Sequence, residues 1–403
     1  MGVKDEIRRS PSFGCGYTPR CEKSGLTLPV ALGGLGLHAL RSGGHAHRDF
    51  MLFPSLRRLG ARVLSAVRRL FAPTQSPEER YRDFNVRYFA GFHEQERMLA
   101  DRPRMEFYRV AIQRHIQPGD RVIDLGTGTG ILAALASRRG AAQVYAIDHS
   151  PILKHARTLA QANRVERVEF IDTHSTKFSV AAPVDVILHE QMGDGLFDEG
   201  MVANVCDLRD RLLKPGGLIL PSRFEFFCEP IKVRDGRHVP FIWELEVHGY
   251  DYSALERHRP QDPDYYHLRS SDLALVEHFL GDPAPVLTID LHTVKEAELP
   301  HEITFTRTVV NAGRLDGYAV YFRALVDDDL SLGSGPLDPG RAPHWGFRVL
   351  RTDRADFAAG DEIEVCLTVG RWADMNSWRW KHVKRAGRRS AVGEAAGVES
   401  ARQ

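Results

Sequence analysis

The stretch 122–130, Val-Ile-Asp-Leu-Gly-Thr-Gly-Thr-Gly, constrains this chain more than any other. A short β-type apolar run ends in glycines at alternate positions, and 131–139 continues at helical spacing as far as Gly140, a C-cap residue. It reads as strand, tight loop and helix start, with glycines that let a backbone approach a ligand closely. The dinucleotide fingerprint Gly-x-Gly-x-x-Gly fails, because Ile131 stands where its last glycine belongs. Asp124-x-Gly126-x-Gly128-x-Gly130 points instead to a nucleoside without a pyrophosphate.

One strand later, the run 144–147 ends in Asp148, a carboxylate suited to gripping two ribose hydroxyls beside the crevice of a doubly wound sheet. Ser150 as N-cap and Pro151 at the first helical position predict that the next helix opens there. The two coupled features resemble class I S-adenosylmethionine-dependent methyltransferases, with an ordinary βαβ unit as the plainer alternative. Strands at 168–172 and 184–188, then a turn and strand at 213–220, continue an α/β, Rossmann-like pattern, so a cofactor-binding domain is expected over 78–220. From Pro221 the pattern changes to short strands at 224–231, 286–290, 303–309, 318–325 and 362–369. These predict a β-barrel or sandwich domain over 221–383, interrupted by an aromatic- and proline-bearing excursion at 233–270.

Composition narrows the function classes. With 54 Lys and Arg against 53 Asp and Glu, the formal charge is +1, so no global basic field exists to hold nucleic acid and no direct nucleic-acid partner is expected. Five scattered cysteines without a Cys-x-x-Cys pair argue for a reducing, cytoplasmic setting and no structural metal. No segment reaches the roughly 18–20 apolar residues that a membrane span needs, and neither a signal peptide nor a myristoylation site is read at the start. Residues 1–50 show no sustained period and are expected to be disordered. Over 51–77 a basic amphipathic helix and linker follow, with Leu56, Leu59, Val63, Val67 and Leu70 at helical spacing among arginines. That helix either docks on the domain or, over 51–71, meets an anionic membrane surface or an acidic partner. Met51 is an alternative start, and 384–403 is expected to be a loose tail.

The segment after the fourth strand carries the chemistry. Glu190 and Glu199 flank a hairpin containing Gly193 and Gly195, an arrangement that places two carboxylates around one cation; a merely solvated acidic hairpin is the other reading. A planar guanidinium suits such a pair, since carboxylates that hold its charge on two nitrogens leave the third more nucleophilic. Tyr88-Phe89, Met98-x-x-Asp101-x-x-Arg104 and the distant Pro343-His344-Trp345 complete a set whose order and spacing resemble the protein arginine methyltransferase family over about 88–369.

The resemblance implies the roles. Glu190 and Glu199 clamp the substrate guanidinium, and Asp101 and His344 pair across the two domains to accept the released proton. Arg104 holds the methionyl carboxylate of S-adenosyl-L-methionine and Asp148 its ribose. Tyr88 and Phe89 close over the nucleoside, beside Met98 and the loop of Asp124, Gly126, Gly128 and Gly130. Met201 and Trp345 belong to the substrate side, and 233–270 becomes a dimerisation arm, implying a homodimer. The acceptor is an arginine-containing protein, with a small guanidine or amine, or a catalytically idle scaffold, as alternatives. The family's Ser-Glu-Trp-Met-Gly-Tyr is His189-Glu190-Gln191-Met192-Gly193-Asp194 here, an altered substrate groove. Thr176 likewise replaces an acidic residue expected at the adenine amine, and Gln95 replaces a usual His.

Overall fold

The computed structural model describes residues 87–237 and 240–385, so the expectations for 1–50, for 51–77 and for the tail beyond Arg385 fall outside the described residues. Two helices, α1 (Phe92–Ala100) and α2 (Arg102–His115), lead into β1 (Arg121–Leu125). The chain then alternates through α3 (Ile131–Arg139), β2 (Gln143–Asp148), α4 (Leu153–Ala162), β3 (Val168–Asp172), β4 (Val184–His189), α5 (Met201–Leu212) and β5 (Leu213–Leu220). These five strands form one parallel sheet in the order β3-β2-β1-β4-β5. The chain moves outward from β1 to β3 and returns to β4 on the other side, so the crevice opens at the C-terminal ends of β1 and β4.

Local chemistry explains the ends of α3. Gly130 at its N-cap has φ +83° and Gly140 at its C-cap has φ +106°, both left-handed. A Cβ on Gly130 would lie 2.9 Å from the Phe170 ring, so conformation and space both demand glycine. Ser150 does not cap α4 as expected. The helix begins at Leu153 after a turn in which Leu153 N–H donates to Ser150 O, and the Ser150 hydroxyl has no hydrogen-bond partner. The expected turn before the fifth strand is absorbed into β5, whose register against β4 shifts between Val184 and Val186.

After β5, antiparallel pairing takes over. β6 (Arg223–Val233), β7 (Glu246–Val247), β8 (Tyr250–Asp251), β9 (His267–Ser270), β10 (Val276–Phe279), β11 (Leu287–Asp290), β12 (Glu302–Thr308), β13 (Gly313–Leu325), β14 (Ser331–Gly333), β15 (Phe347–Phe357), β16 (Glu362–Arg371) and β17 (Asp374–Arg385) follow in order. A seven-stranded sheet runs β10-β6-β13-β15-β9 with β11 and β14 at its margins, and β12-β16-β17 form a second sheet. β13 is buried on both faces. Tyr318, Val320 and Phe322 join the main core with Ile363, Val365 and Trp378, while Ala319 and Tyr321 pack with Phe227 and Phe347 on the other side. The main core also contains Val122, Ile123 and Ile187, so both halves share one apolar interior.

Strands β15 and β17 went unread because charged residues interrupt their apolar alternation. β17 continues through Arg385, which moves the expected tail boundary: Lys384 pairs with Asp361 at 3.0 Å and Arg385 with Glu364. The excursion after β6 carries the β7–β8 hairpin and returns through β9 onto β15. At its base Phe241 stacks on Trp243 at 4.6 Å, and the Arg351 guanidinium lies 4.1 Å from the Phe241 ring centre.

Candidate active site

Leu125 and His189 are register partners on β1 and β4, so Gly126 and Glu190 emerge side by side at the crevice. Two cavities meet there. The first, about 290 Å³, is lined by Phe89, Met98, Gly126, Gly128, Asp148 and Glu199 among others. The second, about 410 Å³, is bounded by Tyr88, Phe89, Glu199, His344 and Trp345 and reaches into the β-rich half. Phe89 and Glu199 border both.

The first cavity is built by the glycine loop. Gly126 and Gly128 have φ +74° and +54°, and a Cβ on Gly128 would come 3.2 Å from Gln95, so glycine keeps the wall open. Asp148 accepts from Gly128 N–H at 2.9 Å and from Ser150 N–H at 2.8 Å. These bonds aim the carboxylate and leave each oxygen another lone pair for a ligand hydroxyl. His149 and His174, unforeseen in the sequence, line the same cavity with ring centres 5.3 Å apart. Asp148→Ala is expected to weaken cofactor binding about tenfold to hundredfold, because it removes charge-assisted bonds of about 1.5–3 kcal/mol. Isothermal titration calorimetry reads this directly.

Several expected cofactor contacts stand behind the surface. Asp124 is buried and accepts from Thr127 Oγ1 at 2.6 Å and Ala133 N–H at 3.0 Å, holding the loop onto α3 rather than touching ligand. Gly130 serves the helix start. Tyr88 faces the second cavity, not the nucleoside side, and its hydroxyl accepts from Arg97 at 3.3 Å. Arg104 does not reach the lining of the first cavity: Nη1 pairs with Glu190 at 2.8 Å, Nη2 donates to Met98 O at 2.8 Å, and Nε has no partner. Gln191, expected in the substrate groove, borders the first cavity and accepts from Asn204 at 3.3 Å. Met201 is fully buried at the start of α5 as core, not substrate contact.

The two hairpin glutamates differ in state. Glu190 is met by Arg104 and by Trp345 Nε1–H at 3.3 Å. The Glu199 carboxylate makes no hydrogen bond or ion pair among the described residues. Desolvation, with Glu190, Asp198 and Asp194 nearby, pushes its pKa well above the ordinary range. An unpaired carboxylate in such a place costs several kcal/mol to ionise, and a cation entering from the second cavity removes that penalty. The hairpin itself is fastened to the β-rich half. Asp194 binds Arg269 and accepts from Gly346 N–H at 2.8 Å, and Asp198 lies 3.4 Å from Arg348. Arg269 and Arg348 are cross-strand partners on β9 and β15, a pairing no local sequence signal announces.

Asp101 and His344 do meet across the halves, but not as expected. Asp101 caps α2 by accepting from Arg104 N–H at 3.0 Å and accepts from the backbone N–H of His344 at 2.9 Å, so it latches the chain and not the ring. The ring faces Glu94, with Nε2 3.4 Å from Oε1. Glu94 escaped notice in the sequence, although it shares the inner face of α1 with Met98.

Two buried groups set opposing pH slopes. His189 Nε2–H donates to Pro221 O at 2.7 Å, and burial lowers its pKa to about 4. A base depressed in the folded state stabilises above its unfolded pKa and loses that contribution as pH falls toward 4. Asp124 is pushed up to about 6 by burial, so its ionisation costs stability as pH rises from 3.8 to 6. In Asp124→Asn this acid slope is gone, and the stability difference from wild type is expected to change by about 2–3 kcal/mol between pH 7 and pH 4. Urea unfolding at both pH values measures it.

A five-stranded parallel sheet of this order, with a glycine loop after β1, an aspartate ending β2 and a carboxylate-lined acceptor cavity beyond β4, is that of an S-adenosylmethionine-dependent methyltransferase. The family profile described as Ribosomal protein L11 methyltransferase (PrmA) matches residues 109–222, the parallel-sheet half. Protein arginine N-methyltransferase PRMT10 of Oryza sativa subsp. japonica is 31% identical over 315 residues, covering 70% of this chain and 82% of that protein. The Danio rerio Protein arginine N-methyltransferase 6 is 31% identical over 273 residues, covering 64% and 76%. The crystal structure of Arabidopsis thaliana Protein Arginine Methyltransferase 10 superposes with a TM-score of 0.62 at 26% identity, over 74% of this chain and 98% of that one. The chain belongs to the protein arginine N-methyltransferase family.

Proposed function

We propose that the paired cavities transfer methyl from S-adenosyl-L-methionine to the guanidinium of a protein arginine, with Glu190 and Glu199 as the clamp. The observation that carries this reading is the shared border: Glu199 and Phe89 belong to both cavities, so donor and acceptor meet at the unpaired carboxylate. The first cavity fits the cofactor, with Asp148 aimed for ribose hydroxyls and the buried Ser150 hydroxyl lacking a partner. When bound, the cofactor supplies a sulfonium methyl that bonds to the acceptor nitrogen as the carbon–sulfur bond breaks toward sulfur, releasing one N–H proton. Glu199 and Glu190 orient the guanidinium for in-line attack, with Phe89 bordering both cavities beside them.

Labelled methyl transfer into a cell lysate, wild type beside Glu199→Gln, tests the reading. Label on protein arginine that the variant loses supports it. Label confined to small molecules would move the acceptor to a free guanidine or amine, and cofactor binding without transfer would leave a scaffold.

The working unit is a homodimer built through the excursion 233–270. Tyr250 is 74% exposed at its tip, near Ile242 and Val247 in sequence, which are also exposed, an apolar surface that water does not favour. Tyr250→Arg is expected to shift sedimentation toward monomer; an unchanged dimer would place the interface elsewhere. The cytoplasm suits the free thiols of Cys206, Cys228 and Cys366. An anionic surface or acidic partner for 51–71 rests on the sequence pattern alone.

A further inference from the structure

Glu94 has no role in the transfer outlined above, yet it is among the most buried charged side chains beside the acceptor cavity, at 3% exposure. Its Oε1 stands 3.4 Å from His344 Nε2, its Oε2 pairs with Arg97 Nη1 at 3.0 Å, and the Tyr88 hydroxyl is hydrogen-bonded to it. Asp101 meets the backbone and not the ring, its oxygens accepting from the backbone N–H groups of Arg104 and His344. His344 Nδ1 is buried and has no partner.

We propose that Glu94 is the positioning residue of the acceptor site, holding the His344 ring with Nε2–H toward itself so that Nδ1 is the base for the released proton. The proposal rests on the methyl-transfer reading. The acceptor N–H bond breaks, its electron pair stays on the guanidinium nitrogen, and the proton bonds to Nδ1. The ring becomes imidazolium opposite the Glu94 carboxylate, and the proton passes to water after product leaves. Burial, Arg104 and Arg97 oppose that charge, while Glu190 and Glu94 favour it. Glu190 pairs with Arg104 and Glu94 with Arg97, but it is Glu94 whose second oxygen stands 3.4 Å from the ring nitrogen.

The test is a proton NMR titration of His344 in the full chain, its resonance assigned by its loss in His344→Asn, for wild type and Glu94→Gln. The expected result is a pKa lower by about one unit or more in the variant, as for removal of an opposite charge at this range. In parallel, kcat is expected to fall about tenfold to hundredfold with acceptor KM within about twofold. The acid limb of kcat/KM moves to lower pH, and Glu94→Asp recovers part of the rate. An unchanged His344 titration overturns the proposal. A wild-type chain that transfers no methyl would instead bring down the activity reading, with the titration still deciding the role of Glu94.

Discussion

Glutamine at position 190 is expected to lower kcat by about 10²- to 10³-fold, the scale for losing one preorganised electrostatic group at a reacting centre. Glu190 is fixed by two contacts, Arg104 Nη1 at 2.8 Å and Trp345 Nε1–H at 3.3 Å. A glutamine retains the shape and can still accept from Trp345, but it cannot hold positive charge on the guanidinium nitrogens it faces. It also releases Arg104, whose side chain is buried and already has an unpartnered Nε. Cofactor affinity is therefore expected to shift severalfold as well, whereas Glu199→Gln leaves the Arg104 pair intact and should spare it. Steady-state kinetics beside calorimetry separates the two variants. Near-normal turnover in Glu190→Gln would remove the clamp from the mechanism.

The largest stability effect is expected far from the site. Glu229 on β6 is fully buried and receives Arg307 of β12 through two parallel bonds, Nε to Oε2 at 2.8 Å and Nη2 to Oε1 at 2.7 Å. Ala284 N–H donates to the same carboxylate at 3.0 Å, and its carbonyl accepts from Arg307. The pair joins the two antiparallel sheets. Glu229→Ala leaves a guanidinium with little access to water and no counter-charge, which costs about 3–5 kcal/mol. Replacing both residues by Met is expected to recover much of this, because two apolar side chains of similar volume have nothing left to desolvate unpaired. Urea denaturation with an unchanged m-value checks both. A loss below about 1 kcal/mol in Glu229→Ala would mean that water reaches Arg307.

The legibility of this protein follows from how local each feature is. The loop 126–130, Asp148 at its strand end and Glu190 after β4 were readable because their placement depends on a few neighbouring residues and on the handedness of a parallel α/β sheet. Ser150 misled because a serine caps a helix only where its hydroxyl reaches a first-turn N–H, and a turn after Pro151 delays the helix to Leu153 with Ile152 at its N-cap. Strands β15 and β17 hid because Arg348, Asp353 and Lys381 interrupt their alternation, and Arg348 and Asp353 find their partners, Asp198 and Arg259, only after the chain has folded. Met201 looked like a contact because family position implies proximity, yet as the first residue of α5 it is fully buried in the main core.

What the sequence determined by itself was therefore the parallel sheet, the nucleoside loop, the pair of hairpin carboxylates and the kind of cation they suit. The tertiary structure decided which of these groups meet. Residues as distant along the chain as Glu94 and His344, Asp194 and Arg269, or Glu190 and Trp345 come together through strand pairing and a shared core, which act over the whole chain. Charge compensation in a poorly hydrated interior then chooses partners by distance rather than by sequence. That is why Arg104 went to Glu190, Asp101 to backbone amides and the His344 ring to Glu94, while Glu199 makes no ion pair among the described residues.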